Sequence, residues 1–250
     1  MAEHMTEIAQ GVAELKTLSV IVPCFNEAAT VAVMLRRILA ADTLGLDLEI
    51  IVVNDGSTDG SQAAIAQAAR SDARIKSLSH GRNRGKGAAV RTAIKASAGE
   101  LILIQDADLE YDPSAYSRLL RPVVDGLADV VYGSRFRSSE AARVLYFWHS
   151  VANSALTLLS NMCTNLNLTD VETGYKLFRR EILDRIDLKE ERFGFEAEVT
   201  ARIARLRPLP NIYEIGIGYR GRTYAEGKKI GLRDALRAAY CIIRYSLLAG

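Results

Sequence analysis

The chain is poor in the residues that give the simplest answers. Its 250 residues contain three cysteines, Cys24, Cys163 and Cys241, few, odd in number and widely spaced. That excludes a disulfide framework and a zinc signature and suits a reducing compartment. His80 and His149 stand alone and read as ordinary polar residues rather than metal ligands. Neither sign of charge dominates: 32 Lys and Arg face 30 Asp and Glu, a net +2. A nucleic-acid binder should carry a marked basic excess, so that class is excluded. No run of eighteen or more uncharged apolar residues occurs, so no helix spanning a bilayer is expected. Residues 1–17 are polar and of mixed charge, with none of the apolar run a secretory signal needs. They are expected to form a flexible N-terminal segment on a cytoplasmic protein. What remains is an ordinary soluble balance, 49% hydrophobic and 25% charged, with ample length for a core.

The first 135 residues alternate between short apolar runs and helical patterns. Strands are expected at 18–22, 48–53, 75–78, 101–104 and 129–132. Helices are expected at 28–40, 59–70 (with Ser57 or Thr58 as N-cap), 86–98 and from Pro113 to about 124. Strands separated by helices build a mostly parallel sheet covered on both faces, an α/β fold. Right-handed crossovers place every strand's carboxyl end on one edge, where open α/β sheets bind ligands. The remaining 115 residues offer helices at 143–163, 195–206 and 232–248 and strands at 173–178 and 212–219. No linker divides the halves, which predicts a single domain over 18–250.

The loops after the strands carry the chemistry. The first strand leads into Pro23, Phe25 and Glu27, the second into Asn54, Asp55 and Gly56. The fourth leads into Asp106, Ala107, Asp108 and Glu110, the fifth into Gly133, Ser134 and Arg135. Clustered carboxylates repel unless a cation or proton joins them, and a hard divalent ion, Mg²⁺ or Mn²⁺, suits oxygen ligands. An isolated D-x-D is more often a cap and a turn. Following an apolar strand and sharing an edge with Asp55 and Glu27, Asp106 and Asp108 are a metal candidate instead. Residues 80–87 are glycine-rich, basic and open a helix, which favours an anion. They match neither a Walker A loop nor a dinucleotide fingerprint. Near the C-terminus a basic loop carries Arg220, Arg222, Lys228 and Lys229. In the last helix Arg233, Arg237 and Arg244 share one face, and Leu232, Leu236, Ile243 and Leu247 another. Such a helix suits an anionic membrane surface or an ordinary core, the core being the plainer reading.

Eight segments in register resemble the family 2 glycosyltransferases, and among them the dolichyl- and polyprenyl-phosphate sugar synthases. They are VIVPCFNE at 20–27, VNDGSTD at 53–59, NRGKG at 83–87, DADLE at 106–110, GSRF at 133–136, TDVETGYKLF at 169–178, RFGFEAE at 192–198 and GKKI at 227–230. The resemblance implies a GT-A fold, with a nucleotide-sugar-binding half at 18–136 and an acceptor half at 137–250. It implies a nucleotide-sugar donor, UDP-glucose or GDP-mannose, and a polyprenyl phosphate acceptor. It implies that Pro23, Phe25, Glu27 and Asp55 line the nucleoside pocket with Lys86 nearby, that Asp106 faces the nucleotide and that Asp108 faces the metal. Asp106, Asp108 and Glu110 are the implied ligands of Mg²⁺ or Mn²⁺. Relatives often have Tyr at the position of Phe25 and sometimes Gln at that of Glu110.

A divalent ion would neutralise charge on the departing nucleoside diphosphate while the acceptor attacks from the opposite face and inverts the anomeric carbon. A phosphate acceptor is already anionic near neutral pH and needs positive charge to hold it rather than a strong base. Arg135, Arg222 and Lys229 are the candidates. A hydroxyl acceptor, on a saccharide or lipid head group, would need a carboxylate base. Asp170 is the first candidate for that, Glu198 the second, unless they pair with Arg179 or Arg180. A non-catalytic nucleotide-binding module is the alternative from another class. Peripheral contact with the cytoplasmic face of the membrane is expected through Tyr146, Phe147, Trp148 and the last helix.

Overall fold

The computed structural model describes residues 15–137, 143, 144, 146–222 and 232–248. Residues 1–14, the GKKI segment and Lys229 lie outside the described residues. In chain order the elements are β1 (Thr17–Cys24), α1 (Val31–Leu39), β2 (Asp47–Asn54), α2 (Ser61–Ser71), β3 (Ile75–Ser79), α3 (Lys86–Ala96) and β4 (Leu101–Ile104). A 3-10 turn (Pro113–Ala115), α4 (Tyr116–Val124), β5 (Val130–Ser134), α5 (Phe147–Thr164), β6 (Lys176–Arg179) and α6 (Arg180–Asp184) follow. α7 (Phe195–Ala204), β7 (Ile212–Gly216) and α8 (Leu232–Ile243), continued by a π turn (Arg244–Leu248), complete the chain.

The seven strands form one sheet in the order β3-β2-β1-β4-β6-β5-β7. Only β6 runs antiparallel, between β4 and β5. Alternation along the strands sorts the core into two layers. Leu18, Val20, Val22, Ile50, Val52, Leu101 and Leu103 face α1, α2 and α4. Ile21, Ile51, Val53, Ile102 and Ile104 face Ala89, Val90 and Ala93 of α3 and Phe195, Val199 and Ile203 of α7. A third cluster joins Ala197 and Ala201 of α7 to Cys241, Ile242 and Tyr245 at the last helix. The C-terminal half thus adds β6 and β7 to the sheet begun by the first half.

Several boundaries differ from the sequence reading for local reasons. Thr17 already belongs to β1, its N–H donating to Glu100 Oε2 at 2.8 Å, so residue 17 is not part of a loose segment. α1 starts at Val31 because 27–30 is a turn in which the Thr30 and Val31 N–H groups both donate to the Glu27 carbonyl. α2 starts at Ser61, and its first N–H is met by Asp59 Oδ1 at 2.9 Å rather than by Ser57 or Thr58. Pro113 opens a 3-10 turn capped by Asp112, and the α-helix begins at Tyr116. The strand expected at 173–178 is confined to Lys176–Arg179, because 169–175 is a loop folded against the acidic edge. On α8 the core face is Ala238, Cys241 and Ile242, while Leu236 and Ile243, and Leu247 in the π turn, are exposed. Three residues of the apolar stripe read from the sequence, Leu236, Ile243 and Leu247, therefore lie off the core face. Among the described residues no helix is long and apolar enough to cross a membrane.

Candidate active site

A cleft of about 630 Å³ opens along the carboxyl edge of the parallel strands, within the usual range of small-molecule sites. One end is lined by Pro23, Phe25, Asp55, Asn83 and Lys86, the floor by Asp106, Asp108 and Glu110, and the other end by Arg135, residues of α5 and Asp234 of α8. Two backbone turns shape it. Asn26 and Leu109 both hold positive φ, 52° and 61°. For a leucine this left-handed conformation is strained, and such strain concentrates at functional sites. At Leu109 it brings the Glu110 N–H back to Asp108 Oδ1 at 3.2 Å.

At the end lined by Pro23 and Phe25, Asp55 is almost fully buried, and its carboxylate takes the N–H of Arg84 at 3.0 Å and of Gly85 at 2.7 Å. His80 Nδ1 lies 2.6 Å from Asp55 Oδ1, and His80 Nε2 lies 2.9 Å from Thr92 Oγ1. The basic glycine-rich loop is thus gathered onto Asp55. Gly56 permits it: with φ +69°, a Cβ there would lie 2.4 Å from the Arg82 carbonyl carbon.

The floor is a charge network. Lys86 Nζ bridges Asp106 at 2.8 Å and Glu196 at 2.9 Å. Burial opposes its charge, yet these two carboxylates hold it well above the usual lysine range. Arg222 lies on the other acids: Nη2 to Asp108 Oδ2 at 2.8 Å, Nη1 to Glu27 Oε1 at 3.1 Å, and backbone N–H to Glu110 Oε1 at 2.8 Å. Tyr219 Oη donates to Glu110 Oε2 at 2.7 Å. Arg222, expected to hold an acceptor phosphate, therefore lies at the acidic edge, and Glu110, expected as a metal ligand, anchors the C-terminal loop. Burial, then Asp106 and Glu110, push the Asp108 carboxyl up to about 7 against the pull of Arg222.

Among the described residues no group of three or more His, Cys, Asp or Glu is arranged to hold a metal ion. The donor set nevertheless fits one. Glu27, Asp108 and Glu110 share one guanidinium, so three carboxyl groups meet a single cation. All are hard oxygen donors, and a magnesium-type ion takes one or two carboxylates and completes its shell with water and phosphates. Asp108, with Asp106 beside it, is the pair that would hold it.

Arg135 is fixed by a residue assigned another role. Its Nε and Nη2 donate to Asp170 Oδ2 and Oδ1, both at 2.6 Å, and Nη2 also donates to Asn153 Oδ1 at 2.9 Å. The guanidinium lies over the Tyr219 ring, 5.2 Å from its centroid. Asp170 is fully buried, with both oxygens committed to this fork. Its partner is Arg135, not Arg179 or Arg180, which turn to Asp129 and to the Gly99 carbonyl. Glu198, the second base candidate, is also fully buried, accepting the N–H groups of Lys189 and Glu190 and the side chain of Arg202.

Glu172, Glu196 and Lys176 were not singled out from the sequence, although 169–178 and 192–198 contain them. Lys176 is fully buried, donating to the Thr173 carbonyl and to the Val171 carbonyl at 2.9 Å. It thereby folds the 169–175 loop onto the cleft. Burial pushes its ammonium down to about 8, although Glu196 and Glu172 pull the other way. Gly174 sits so close to Asp106 that a Cβ would lie 2.3 Å from Oδ2.

The sheet order, the acidic strand end and the cleft define a glycosyltransferase of GT-A architecture. The chain belongs to glycosyl transferase family 2, whose profile it matches over residues 19–187. It is 28% identical over 232 residues to the undecaprenyl-phosphate 4-deoxy-4-formamido-L-arabinose transferase of Aeromonas hydrophila, covering 92% of this chain and 68% of that protein. It is 30% identical over 185 residues to the protein of the same name from Salmonella paratyphi A, covering 73% and 55%. The chain thus spans little more than half to two thirds of these relatives' length. In fold it resembles the Mycobacterium tuberculosis glucosyl-3-phosphoglycerate synthase crystallised with Mn²⁺, UDP and glucosyl-3-phosphoglycerate. That match has a TM-score of 0.71 at 20% identity, covering 100% of this chain and 85% of that one. The same enzyme with UDP alone matches at a TM-score of 0.72.

Proposed function

We propose that this protein transfers a sugar from a nucleotide sugar to a polyprenyl phosphate, with inversion and with a divalent ion. The carrying observation is the Arg135–Asp170 fork at the cleft wall. It offers an anion a fixed guanidinium, and with the Arg135 backbone N–H and the Asn153 amide also donating to Asp170, the expected base candidate has no lone pair to spare for a hydroxyl proton. In this reading a phosphate oxygen attacks the anomeric carbon, and the bond from that carbon to the nucleoside diphosphate breaks, the leaving group keeping the electron pair. The ion, when bound at Asp108 and Asp106, supplies charge neutralisation for that leaving group. Pro23 and Phe25 wall the nucleoside pocket, while Asp55 keeps the 80–87 loop in place. Arg135 holds the acceptor in line, which lowers the barrier by orientation. The names of the relatives and the UDP-bound neighbours support this reading.

The test is direct. Protein with Mn²⁺ or Mg²⁺ and UDP-glucose or GDP-mannose is expected to release nucleoside diphosphate only when polyprenyl phosphate is added. Release with simple saccharides and none with the lipid would replace the phosphate acceptor by a hydroxyl.

A lipid acceptor requires a lipid surface. On α5 Phe147, Trp148, Leu158 and Met162 are exposed, as are Leu236 on α8 and Leu247 in the π turn that continues it. The two helices pack together, and both contribute to the cleft through Asn153 and Asp234. Arg244 stands beside this apolar surface, stacked on Tyr240. Trp148 is the one tryptophan of the chain and is 74% exposed. Its emission is expected to shift to the blue when anionic vesicles are added, and Leu236→Glu should weaken the shift. An unchanged spectrum with protein left in the supernatant after sedimentation would remove this surface from the proposal.

A further inference from the structure

Two carboxylate oxygens at the cleft have no hydrogen-bond partner among the described residues. Glu172 Oε1 and Glu196 Oε2 are buried and unbonded, while both residues line the cleft. Leaving such acceptors bare is a standing cost to folding, and native structures keep the pattern where a ligand completes it. Their neighbours do not complete it. Glu196 uses its other oxygen on Lys86 at 2.9 Å. Lys176 spends its hydrogen bonds on the Val171 and Thr173 carbonyls. Arg135 spends Nε and Nη2 on Asp170 and Asn153. The two glutamates also repel one another, since the charge of Glu196, after burial, holds the Glu172 carboxyl up at about 7. A second cation is not the remedy, because Lys176 and Arg135 already face Glu172. The missing partners are neutral donors.

We propose that Glu172 and Glu196 form the subsite that accepts hydrogen bonds from hydroxyl groups of the transferred sugar, with Glu172 the specificity-determining residue. This rests on the transferase reading above and adds to it where the sugar lies. Lys86 ties Glu196 to Asp106, and the 169–175 loop that carries Glu172 packs against Asp106 at Gly174. The leaving diphosphate belongs at Asp106 and Asp108, the acceptor at Arg135. The group transferred between them belongs beside this pair of acids. A polyol brings O–H donors that satisfy both bare oxygens without adding charge, and a site built around such hydrogen bonds rejects analogues that lack them.

The experiment compares wild type, Glu172→Leu and Glu172→Gln by calorimetry with Mn²⁺. The ligands are UDP and UDP-glucose, GDP and GDP-mannose, and singly deoxygenated sugars on whichever nucleotide binds. The expected result is that Glu172→Leu weakens the nucleotide sugar by about 10- to 100-fold, the scale of a hydrogen bond to a charged group, while the bare diphosphate changes less than about twofold. One deoxy donor that binds poorly to wild type should bind the variant as well as its parent sugar does. Removing a bare carboxylate should leave the melting temperature of the ligand-free protein equal or higher. Glu172→Gln, which keeps the shape, should give a smaller loss of the same kind. Equal weakening of diphosphate and nucleotide sugar, or none of either, overturns the subsite and leaves the transferase reading standing. Wild type that binds no nucleotide at all overturns both.

Discussion

Asp108→Ala is expected to lower turnover by about three orders of magnitude, which corresponds to about 4 kcal/mol of lost transition-state stabilisation. Asp108 ends the turn forced by the left-handed Leu109 and lies on the cleft floor, where burial and two neighbouring acids already raise its carboxyl to about 7. That environment awaits more positive charge than Arg222 alone provides. The same variant should lose Mn²⁺ binding, followed by calorimetry or by the manganese resonance signal, while keeping its circular dichroism spectrum. A pH test separates charge from shape. A carboxyl raised in the folded state binds its proton more tightly there, so its contribution is fully present below about pH 4. It is lost as pH rises through about 7. Asp108→Asn should therefore gain in melting temperature relative to wild type between pH 4 and pH 8. Full activity of Asp108→Ala with undiminished manganese affinity would remove this residue from the metal site.

How far the sequence reaches depends on the range of the interaction. β1, β2 and β4 are near-continuous apolar runs, and burial on both faces demands that composition, so they are legible locally. The loops after them are legible for the same reason, since a strand end fixes which residues meet at the edge. The second half is harder. The antiparallel insertion of β6 between β4 and β5, and the pairing of β7 with β5, depend on side chains far apart in sequence. The short helix α6 leaves no period to detect. Arg222 reaches Glu27 across 195 positions, and Arg135 reaches Asp170 across 35, by contacts that no periodicity encodes. Basic residues could be read as suited to an anion, but which of them meets an acid of the same chain could not. Glu172 is the sharpest instance. Its segment is recognisable, yet the bare Oε1 is a property of the packing around it and exists only in three dimensions.

Arg135 carries the second large effect. Arg135→Ala would leave Asp170 fully buried and without its cation, a loss of about 3–5 kcal/mol in fold stability. The informative variant is Arg135→Lys, which keeps the charge and loses the two-pronged contact with Asp170. It is expected to raise the acceptor KM by about 100-fold while the donor KM stays within about twofold, because the ammonium is a point charge that cannot hold both Asp170 and a phosphate in line. Asp170→Asn supplies the complementary measurement. If Asp170 only positions Arg135, the amide should raise the acceptor KM as Arg135→Lys does and leave the pH dependence of kcat unchanged. If Asp170 removed a proton from a hydroxyl acceptor, kcat would collapse and the acidic limb of its pH profile would disappear. The fully occupied carboxylate of Asp170 argues for the first outcome. Agreement between the two variants in acceptor KM, with donor binding intact in both, would identify the fork as the seat of the acceptor phosphate.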